Sequence, residues 1–393
     1  MSDRNDRRAA LILAGGGITG GVYELGVLSA LDDFIVKGGR SGEFDHYVGI
    51  SAGSMVAAFL ANGIPVEELS GAILGTGDEG LLLRREDIYS FRVSPFLRAA
   101  GQFLRNIPVI LRHLRKTGQR VTFLNTIAYL QQFLPPGVFS NANLERYMSR
   151  ALSIKGRSND FRNLPRELSI VAVEADSAER WIFGSGGVTD VPISRAIQAS
   201  SAIPVFFEPV RIGDRLFIDG AAERVGHLDI AIGAGARLVL LMNPTVPIYN
   251  DRSLVCLPTL SGRCSSVTEL GFMAISEQVF RINSRVKLEL GVTLFRQRYP
   301  DVDLLVIEPS PEESTLFLSG SMNFAERVQS LNFGYNSAAR YFTEQYDMLK
   351  GCFARNGREV SLDGLKSDRF PGLAGSPSGK HRFHMRMHGE TRT

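Results

Sequence analysis

Two short units near the start of the chain constrain the fold more than any other part of the sequence. In each, an apolar strand runs through a glycine-containing turn into a helix. Residues 9–14 lead into a helix predicted over residues 20–37, and residues 44–50 lead into one ending near Gly63, before Pro65. Repeated strand–turn–helix units are typical of layered α/β folds. The sequence therefore predicts an α/β protein.

The remainder of the chain continues this pattern. Residues 168–186 predict a hairpin turning near residues 176–179. A second hairpin over "IGDR" ends in Asp219-Gly220, and the strand "ARLVLLMNP" follows. Helices are predicted over 267–296 and 321–350, around the strand "DLLVIEP". Residues 1–8 form an arm, and the Gly-, Ser-, Pro-, Arg- and His-rich residues 354–393 predict a disordered tail.

Net charge and the length of the apolar runs limit the kinds of partner and membrane contact that the chain is expected to have. The net charge is +3 over 393 residues, which does not indicate a nucleic-acid partner. The apolar run 9–14 is shorter than the hydrophobic region of a signal peptide, and no stretch approaches the ~20 apolar residues of a spanning helix. We therefore expect a cytoplasmic protein, with peripheral contact to a membrane as an open alternative.

The stretch "GISAGS" carries the first chemical motif. Gly49, Ser51 and Gly53 match G-x-S-x-G, with a strand before the motif and a helix after it. In this context the glycines permit a sharp turn that exposes a nucleophilic serine at a helix N-terminus. We interpret Ser51 as a nucleophile rather than as part of a structural glycine turn.

A serine hydroxyl needs a neighbouring base before it can act as a nucleophile. His46 lies inside the preceding strand and His113 in a basic segment, so His227 is the serious histidine candidate. Asp219 is the other candidate, since a carboxylate in partly dry surroundings can act as a base. An aspartate before a glycine is, however, also a common turn former.

The stretch "LILAGGGITGGVYELG" contains Gly15, Gly17 and Gly20 in the spacing G-x-G-x-x-G. Such a loop can hold a dinucleotide pyrophosphate, or it can supply the amides of an oxyanion hole. The dinucleotide interpretation needs an acidic residue at the end of the second strand, where this sequence has Ser51 instead. We therefore favour an oxyanion hole.

Residues 89–134 are basic and amphipathic, with large apolar residues between seven arginines and lysines and no acidic residue. The pattern predicts one or two helices broken near Pro95 and Pro108. Two interpretations are open: ordinary helices with a solvated basic face, or an interfacial segment or lid that meets anionic lipid.

The three motifs G-x-G-x-x-G, G-x-S-x-G and D-G-A occur in this order and together resemble the patatin-like phospholipase family. The segments "AIQASSAIPVFFEPVRIGDRLFIDGA", "HLDIAIGAGARLVLLMNP" and "FGYNSAARYF" extend the resemblance. It covers residues 9–350 as one domain, weakest over 80–165 and 250–320; the variable residues 80–165 are the candidate lid or membrane-facing insertion. It implies a three-layer fold with a mostly parallel central sheet flanked by helices.

The resemblance also implies a site and a reaction. Ser51 would be the nucleophile and Asp219 its base, a Ser–Asp dyad that hydrolyses phospholipid or lysophospholipid esters through an acyl-enzyme, without metal or cofactor. The implied oxyanion hole comprises Gly15, Gly16, Gly17, Ile18, Thr19 and Gly20, with amides of Gly16 and Gly17 as donors. The implied elbow comprises Gly49, Ser51 and Gly53, and the D-G-A motif comprises Asp219, Gly220 and Ala221.

One residue departs from the family pattern. Thr19 stands where the family usually has Arg or Lys. A hydroxyl cannot supply that charge, although it can donate a hydrogen bond, and an arginine from elsewhere in the fold can substitute. Four alternatives stay open: a Ser–His–Asp esterase using His227, an esterase for neutral or short-chain esters, an inactive lipid-binding homologue, and a dinucleotide-binding oxidoreductase. The sequence predicts no oligomeric state.

Overall fold

A computed structural model describes residues 8–88, 90, 91, 94–118, 122, 133–224, 226–250, 266–310, 326–366, 369 and 370. The described strands are β1 (Ala9–Leu13), β2 (Ile35–Lys37), β3 (His46–Ile50), β4 (Ser90–Phe91), β5 (Gly137–Ser140), β6 (Glu167–Glu174), β7 (Arg180–Gly184), β8 (Val205–Phe207), β9 (Val210–Ile212), β10 (Arg215–Asp219), β11 (Leu238–Met242), β12 (Asp303–Ile307) and β13 (Glu359–Val360).

The described α-helices alternate with these strands over much of the chain, as the sequence predicts. They are α1 (Gly17–Phe34), α2 (Ala52–Ala61), α3 (Val66–Leu74), α4 (Arg85–Ile88), α5 (Ser94–Lys116), α6 (Ala142–Leu152), α7 (Ile193–Ser200), α8 (Leu228–Gly233), α9 (Phe272–Arg298), α10 (Arg327–Glu344) and α11 (Tyr346–Arg355). Among the helices of the described part of the chain, none is long and apolar enough to cross a bilayer.

The main sheet runs in the order β12-β11-β1-β3-β6-β10-β9, with β7 also paired to β6. The strands from β12 to β6 pair in parallel, whereas β10, β9 and β7 are antiparallel. The mostly parallel central sheet is therefore confirmed. Both predicted hairpins, β6–β7 and β9–β10, are also present.

Two layers of helices cover the sheet. On one face α1 and α2 pack on β1 and β3, and α10 packs along α1. On the other face the apolar side chains of α8 and α9 pack on the same strands. Helix α1 lies between the sheet and α10, so all of its residues are buried except Asp32 and Asp33. It is therefore buried on every side rather than amphipathic, as a helix inside a core must be.

The strands β3 and β10 share one edge of β6, and this arrangement positions the site. Ile50, the last residue of β3, pairs with Val171, and Asp219, the last residue of β10, pairs with Ala172. Because β7 pairs with β6 alongside both, β3 and β10 lie together on the opposite edge. The two strands run towards each other along this edge and end facing each other.

A second small sheet joins α5 to the main body. Its order is β4-β5-β8, and a series of ring contacts runs from Phe96 of α5 through Phe91 and Phe139 to Phe206 of β8. Helix α5 continues through Pro108, so the predicted break there is wrong. A proline removes a single amide donor, and the turns on either side keep their own hydrogen bonds. Residues 89, 92, 93, 119–121 and 123–132 of the predicted basic segment lie outside the described residues.

Several predicted elements differ from the structure. The helix predicted over 321–350 is divided at Gln345 into α10 and α11. The first helix spans Gly17–Phe34 rather than 20–37, and residues 35–37 form β2. Strand β2 pairs with β13, which lies in the segment that composition assigned to the tail. The sequence pattern does not predict β2 or β13, because both strands are short and are stabilised by pairing with each other and by burial of Val360. Residues 1–7 of the predicted arm and residues 367, 368 and 371–393 of the predicted tail lie outside the described residues.

Candidate active site

Ser51 lies on a strained turn between β3 and α2. Its backbone has φ 52° and ψ −131°, a conformation that L-residues other than glycine rarely adopt. The two motif glycines allow the turn to pack tightly. A Cβ on Gly49 would lie 2.4 Å from Ser54 Cα, and one on Gly53 would lie 2.4 Å from the Leu13 carbonyl oxygen. The turn therefore has the geometry of a nucleophile elbow.

Neighbouring polar groups hold the elbow in place. The Ser51 amide donates a hydrogen bond of 2.9 Å to Ser200 Oγ, which in turn donates to the Val171 carbonyl. The Ser54 hydroxyl donates to the Ser51 carbonyl. These contacts tie the turn to α7 and β6 while leaving the Ser51 hydroxyl for another partner.

That partner is the carboxyl group of Asp219. The Ser51 side chain faces Asp219 and lowers the pKa of its carboxyl, and Asp219 Oδ1 accepts the Ala221 amide at 2.9 Å. Both residues are 4% exposed. Burial raises the pKa of Asp219 to about 6, although the Ser51 side chain and the Ala221 amide oppose the shift. The carboxyl is consequently a stronger base than an ordinary aspartate, and it ionises near neutral pH.

The glycine loop between β1 and α1 packs directly against the elbow. Gly15 and Gly16 have φ values of +79° and +100°, and a Cβ on Gly15 would lie 2.9 Å from Ser51 Cβ. Gly16 is the N-cap of α1, and Gly17 is its first residue. The first amides of a helix have no intrahelical acceptor, so the loop brings donors to the serine.

The six residues of the implied oxyanion hole do not contribute equally. The Gly15 amide donates to Glu24 Oε1 at 2.7 Å, and the Gly20 amide donates to the Gly16 carbonyl at 3.2 Å. These two amides are therefore engaged inside the protein. Ile18 and Thr19 belong to the first turn of α1, and Thr19 is fully buried. Gly16 and Gly17 remain the donors that the resemblance implies.

None of the three candidate histidines is placed to act as the base for Ser51. His46 is buried in β3, where its Nε2 is 2.8 Å from Ser169 Oγ, and burial lowers its pKa to about 4. His227 is fully buried beside Arg180, and burial together with that arginine lowers its pKa to about 3. His113 lies on the exposed face of α5. A histidine with a pKa near 3 is a very weak base at neutral pH.

An apolar cavity opens beside Ser51. It encloses about 810 Å³ of empty space, including its open mouth. Ser51 and Ser201 are among its lining residues, and most of its wall comes from apolar side chains of α1, α2, α3, α4, α6 and β8. Examples on this wall are Met55, Phe59, Leu69, Ala72, Ile73 and Leu144. An apolar lining of this kind suits an aliphatic group.

Sequence reasoning missed two residues at this site. Glu24 is a charged residue type inside a helix that is otherwise apolar and small over "GGVYELGVL", and this contrast was its only signal. Ser200 is the first serine of "SSAIP", a segment quoted only as part of a resemblance. Both act on backbone amides, and an amide's partner cannot be read from the pattern of side chains.

The sequence of this chain is similar to those of known proteins. A sequence model of the patatin-like phospholipase family matches residues 11–232. A probable lipid hydrolase, 463L of Invertebrate iridescent virus 6, is 23% identical over 228 residues, which make up 56% of this chain and 62% of the viral protein. The uncharacterised protein YqhO of Bacillus subtilis (strain 168) is 25% identical over 223 residues, 53% of this chain and 62% of YqhO. The chain thus spans less than two thirds of the length of both relatives.

Two solved structures are also similar. VipD from Legionella pneumophila is 15% identical with a TM-score of 0.37, over 86% of this chain and 67% of VipD. The type III effector protein ExoU is 16% identical with a TM-score of 0.35, over 86% of this chain and 53% of ExoU. Both TM-scores are below 0.5, so neither likeness carries a conclusion. The family match covers more than half of the chain and includes both the glycine loop and Asp219, and the chain belongs to the patatin-like phospholipase family.

Proposed function

We propose that this protein is a lipid acyl hydrolase that cleaves the carboxylic ester bonds of phospholipids or lysophospholipids. Ser51 is the nucleophile and Asp219 its base. The observation that carries the proposal is that Ser51 lies beside the buried carboxyl of Asp219 and also lines an apolar cavity. Membership of the patatin-like phospholipase family supports it.

The first half of the reaction forms an acyl-enzyme. Ser51 Oγ attacks the ester carbonyl carbon while Asp219 accepts the hydroxyl proton. The carbonyl oxygen becomes an oxyanion, and the amides of Gly16 and Gly17 stabilise it. When the carbon–oxygen bond of the leaving group breaks, the departing alkoxide takes the proton from Asp219. The products of this half-reaction are an alcohol and an ester between Ser51 and the fatty acid.

The second half releases the acid. Asp219 accepts a proton from water as that water attacks the acyl-enzyme carbonyl carbon. A second oxyanion forms at the same amides, and the Ser51 Oγ–carbon bond then breaks. Ser51 recovers its proton from Asp219, and the free fatty acid leaves. A base with a pKa near 6 is ionised at neutral pH and still returns its proton readily to an alkoxide.

The cavity supports an aliphatic acyl group as the part of the substrate that is bound. Each methylene removed from water contributes about 0.8 kcal/mol, so a long chain in this space has a large binding free energy. The cavity wall carries almost no charged group, so the headgroup has to lie outside it, towards the mouth.

A lipid substrate has to be taken from a membrane or micelle, and α5 is suited to this contact. Leu97, Leu104 and Leu111 lie seven residues apart and are exposed, each followed directly by an arginine: Arg98, Arg105 and Arg112. Seven residues are about two turns, so the leucines and arginines form adjacent stripes. We infer that this α5 surface docks on an anionic membrane.

The position of α5 also favours that role. The ring contacts from Phe96 through Phe91 and Phe139 connect α5 to β8, which supplies Phe207 to the cavity wall. These packed aromatic rings therefore connect the α5 surface, where a membrane would dock, to the wall of the cavity. The buried Leu114 fixes the other end of the helix.

Hydrolysis assays with phospholipid, lysophospholipid, triacylglycerol and short-chain ester substrates test the proposed function. We expect release of fatty acid from the first two classes, and loss of that activity in Ser51→Ala, which should keep the fold because it removes one oxygen atom. Retained activity in Ser51→Ala contradicts the proposal. An active-site fluorophosphonate should label Ser51; a folded chain that forms no adduct and releases no acid is an inactive lipid-binding homologue instead. Activity confined to neutral or short-chain esters supports the esterase alternative.

A further inference from the structure

Glu24 is a buried carboxyl group directly beneath the glycine loop. It lies on α1 and is 0% exposed, and its Oε1 accepts the Gly15 amide at 2.7 Å. Its other oxygen, Oε2, has no hydrogen-bond partner among the described residues. A glutamate in an apolar helix is unfavourable unless it has a specific interaction, and the Gly15 amide provides one.

This contact closes the loop on the helix that follows it. The chain leaves β1, turns at Gly15 and Gly16, enters α1 at Gly17, and is then tied back to Gly15 by Glu24. The loop and the first turns of α1 are tightly packed, since a Cβ on Gly20 would lie 2.3 Å from the Gly15 carbonyl oxygen. Three neighbouring points therefore determine where the Gly16 and Gly17 amides lie: the end of β1, the Glu24 carboxyl and the start of α1.

The charge of the Glu24 carboxyl affects how well the neighbouring amides can stabilise an oxyanion. Burial raises its pKa well above the usual value, although the hydrogen bond from the Gly15 amide opposes the shift. A neutral carboxyl can accept the Gly15 amide through its carbonyl oxygen. It adds no negative charge beside the oxyanion that the next two amides have to stabilise, whereas a carboxylate would repel it.

We propose that Glu24 is a positioning residue for the oxyanion hole, holding the Gly15 amide so that the amides of Gly16 and Gly17 are preorganised for the transition state. The proposal rests on the proposed ester hydrolysis. It differs from a general structural role because its effect falls on kcat, where transition-state stabilisation is measured, and because a neutral isostere should replace the carboxyl.

The test compares Glu24→Gln, Glu24→Leu and Glu24→Asp in the full chain, with kcat normalised to the sites titrated by a fluorophosphonate. The Gln amide oxygen can accept the Gly15 amide, so Glu24→Gln should keep kcat within about threefold. Glu24→Leu removes the acceptor and Glu24→Asp withdraws it, and both should lower kcat about 10- to 100-fold with KM changed less than about threefold, somewhat less than deletion of an oxyanion donor. If Glu24→Leu does not fold, the difference in kcat between Glu24→Asp and Glu24→Gln tests the proposal.

Glu174 offers a matched control. It is a buried glutamate whose Oε2 accepts the Ser177 amide at 2.9 Å in a turn outside the site. Glu174→Leu should lower thermal stability and leave the normalised kcat unchanged. Wild-type kcat in both Glu24→Leu and Glu24→Asp overturns the positioning role while the proposed hydrolysis stands. Equal losses in Glu24→Gln and Glu24→Leu also overturn it. A wild-type chain that neither hydrolyses esters nor reacts with the fluorophosphonate overturns both proposals, because it stabilises no oxyanion.

Discussion

The Ser51 side chain lies beside the carboxyl of Asp219 because Ser51 directly follows β3 and Asp219 ends β10, and these two strands end against consecutive residues of β6. Ile50 pairs with Val171 and Asp219 pairs with Ala172, on the same edge of β6. The proposed nucleophile and its proposed base therefore meet at the end of parallel β3, where antiparallel β10 arrives from the opposite direction. Their contact depends on the pairing of β3 and β10 with β6 in the main sheet.

The substitution Asp219→Asn should separate activity from stability. An amide cannot take the Ser51 proton, so we expect kcat to fall by a factor of about 10³ or more. Asn still accepts the Ala221 amide and removes a buried charge. The pKa of Asp219 in the folded chain is about 6 against a reference of 3.8, so at neutral pH the change should raise the free energy of unfolding by up to about 3 kcal/mol.

That gain in stability should depend on pH in a defined direction. A carboxyl whose pKa is raised by folding destabilises the native state as it ionises. The difference between Asp219→Asn and the wild type should therefore appear as pH rises from about 4 to about 6 and be complete above that range. Chemical denaturation at several pH values measures this difference in the free energy of unfolding.

The variant His227→Gln is the control for the activity of Asp219→Asn. Loss of catalysis in His227→Gln would favour the Ser–His–Asp alternative.

Catalysis should also follow the ionisation of Asp219. Because the base has to be deprotonated, kcat/KM should fall about tenfold per pH unit below pH 6 and reach a plateau above it. The same pH dependence should govern the rate at which a fluorophosphonate modifies Ser51. An acidic limb near pH 4 would indicate that the carboxyl is solvated in the working enzyme, contrary to its burial.

A larger side chain in the cavity should change the preferred acyl chain length. Ala72 lies on the cavity wall in α3 and is 5% exposed. Ala72→Phe should lower kcat/KM for a long-chain ester by at least about tenfold, at about 0.8 kcal/mol for each displaced methylene, and leave a short-chain ester within about threefold. Leu74→Phe, at an exposed position of the same helix, is the matched control. Equal losses for both chain lengths would mean that the acyl group binds elsewhere.

Neutralising the α5 surface should weaken membrane binding without affecting the chemistry. Replacing Arg105, Arg112 and Arg115 by Gln removes three charges, each worth about 1 kcal/mol near an anionic surface, so liposome affinity should fall about 100-fold. Hydrolysis of a soluble short-chain ester should not change. Replacement of three exposed basic residues on other helices is the control, namely Arg296, Arg298 and Lys350. If both triple variants bind phosphatidylserine liposomes as the wild type does, α5 is an ordinary solvated helix.

The sequence determined the parts of this site that are local. An apolar strand, a glycine turn and a helix are encoded by neighbouring residues, so the elbow at Ser51 and the glycine loop could be predicted from the pattern alone. Asp219 was harder, since an aspartate before a glycine is a common turn former. Its assignment as the base depended on the resemblance of the three motifs to a family rather than on periodicity.

Only the tertiary structure decided which groups meet. The shared edge of β6 that joins β3 to β10, the pairing of β2 with β13, and the contact between Glu24 and the Gly15 amide all connect segments through space. Burial likewise made Asp219 a stronger base and His227 a weaker one. Local patterns encode backbone conformation, whereas a pKa and a hydrogen-bond partner depend on what the folded chain packs around a group, and that is set only when the sheet and its helices assemble.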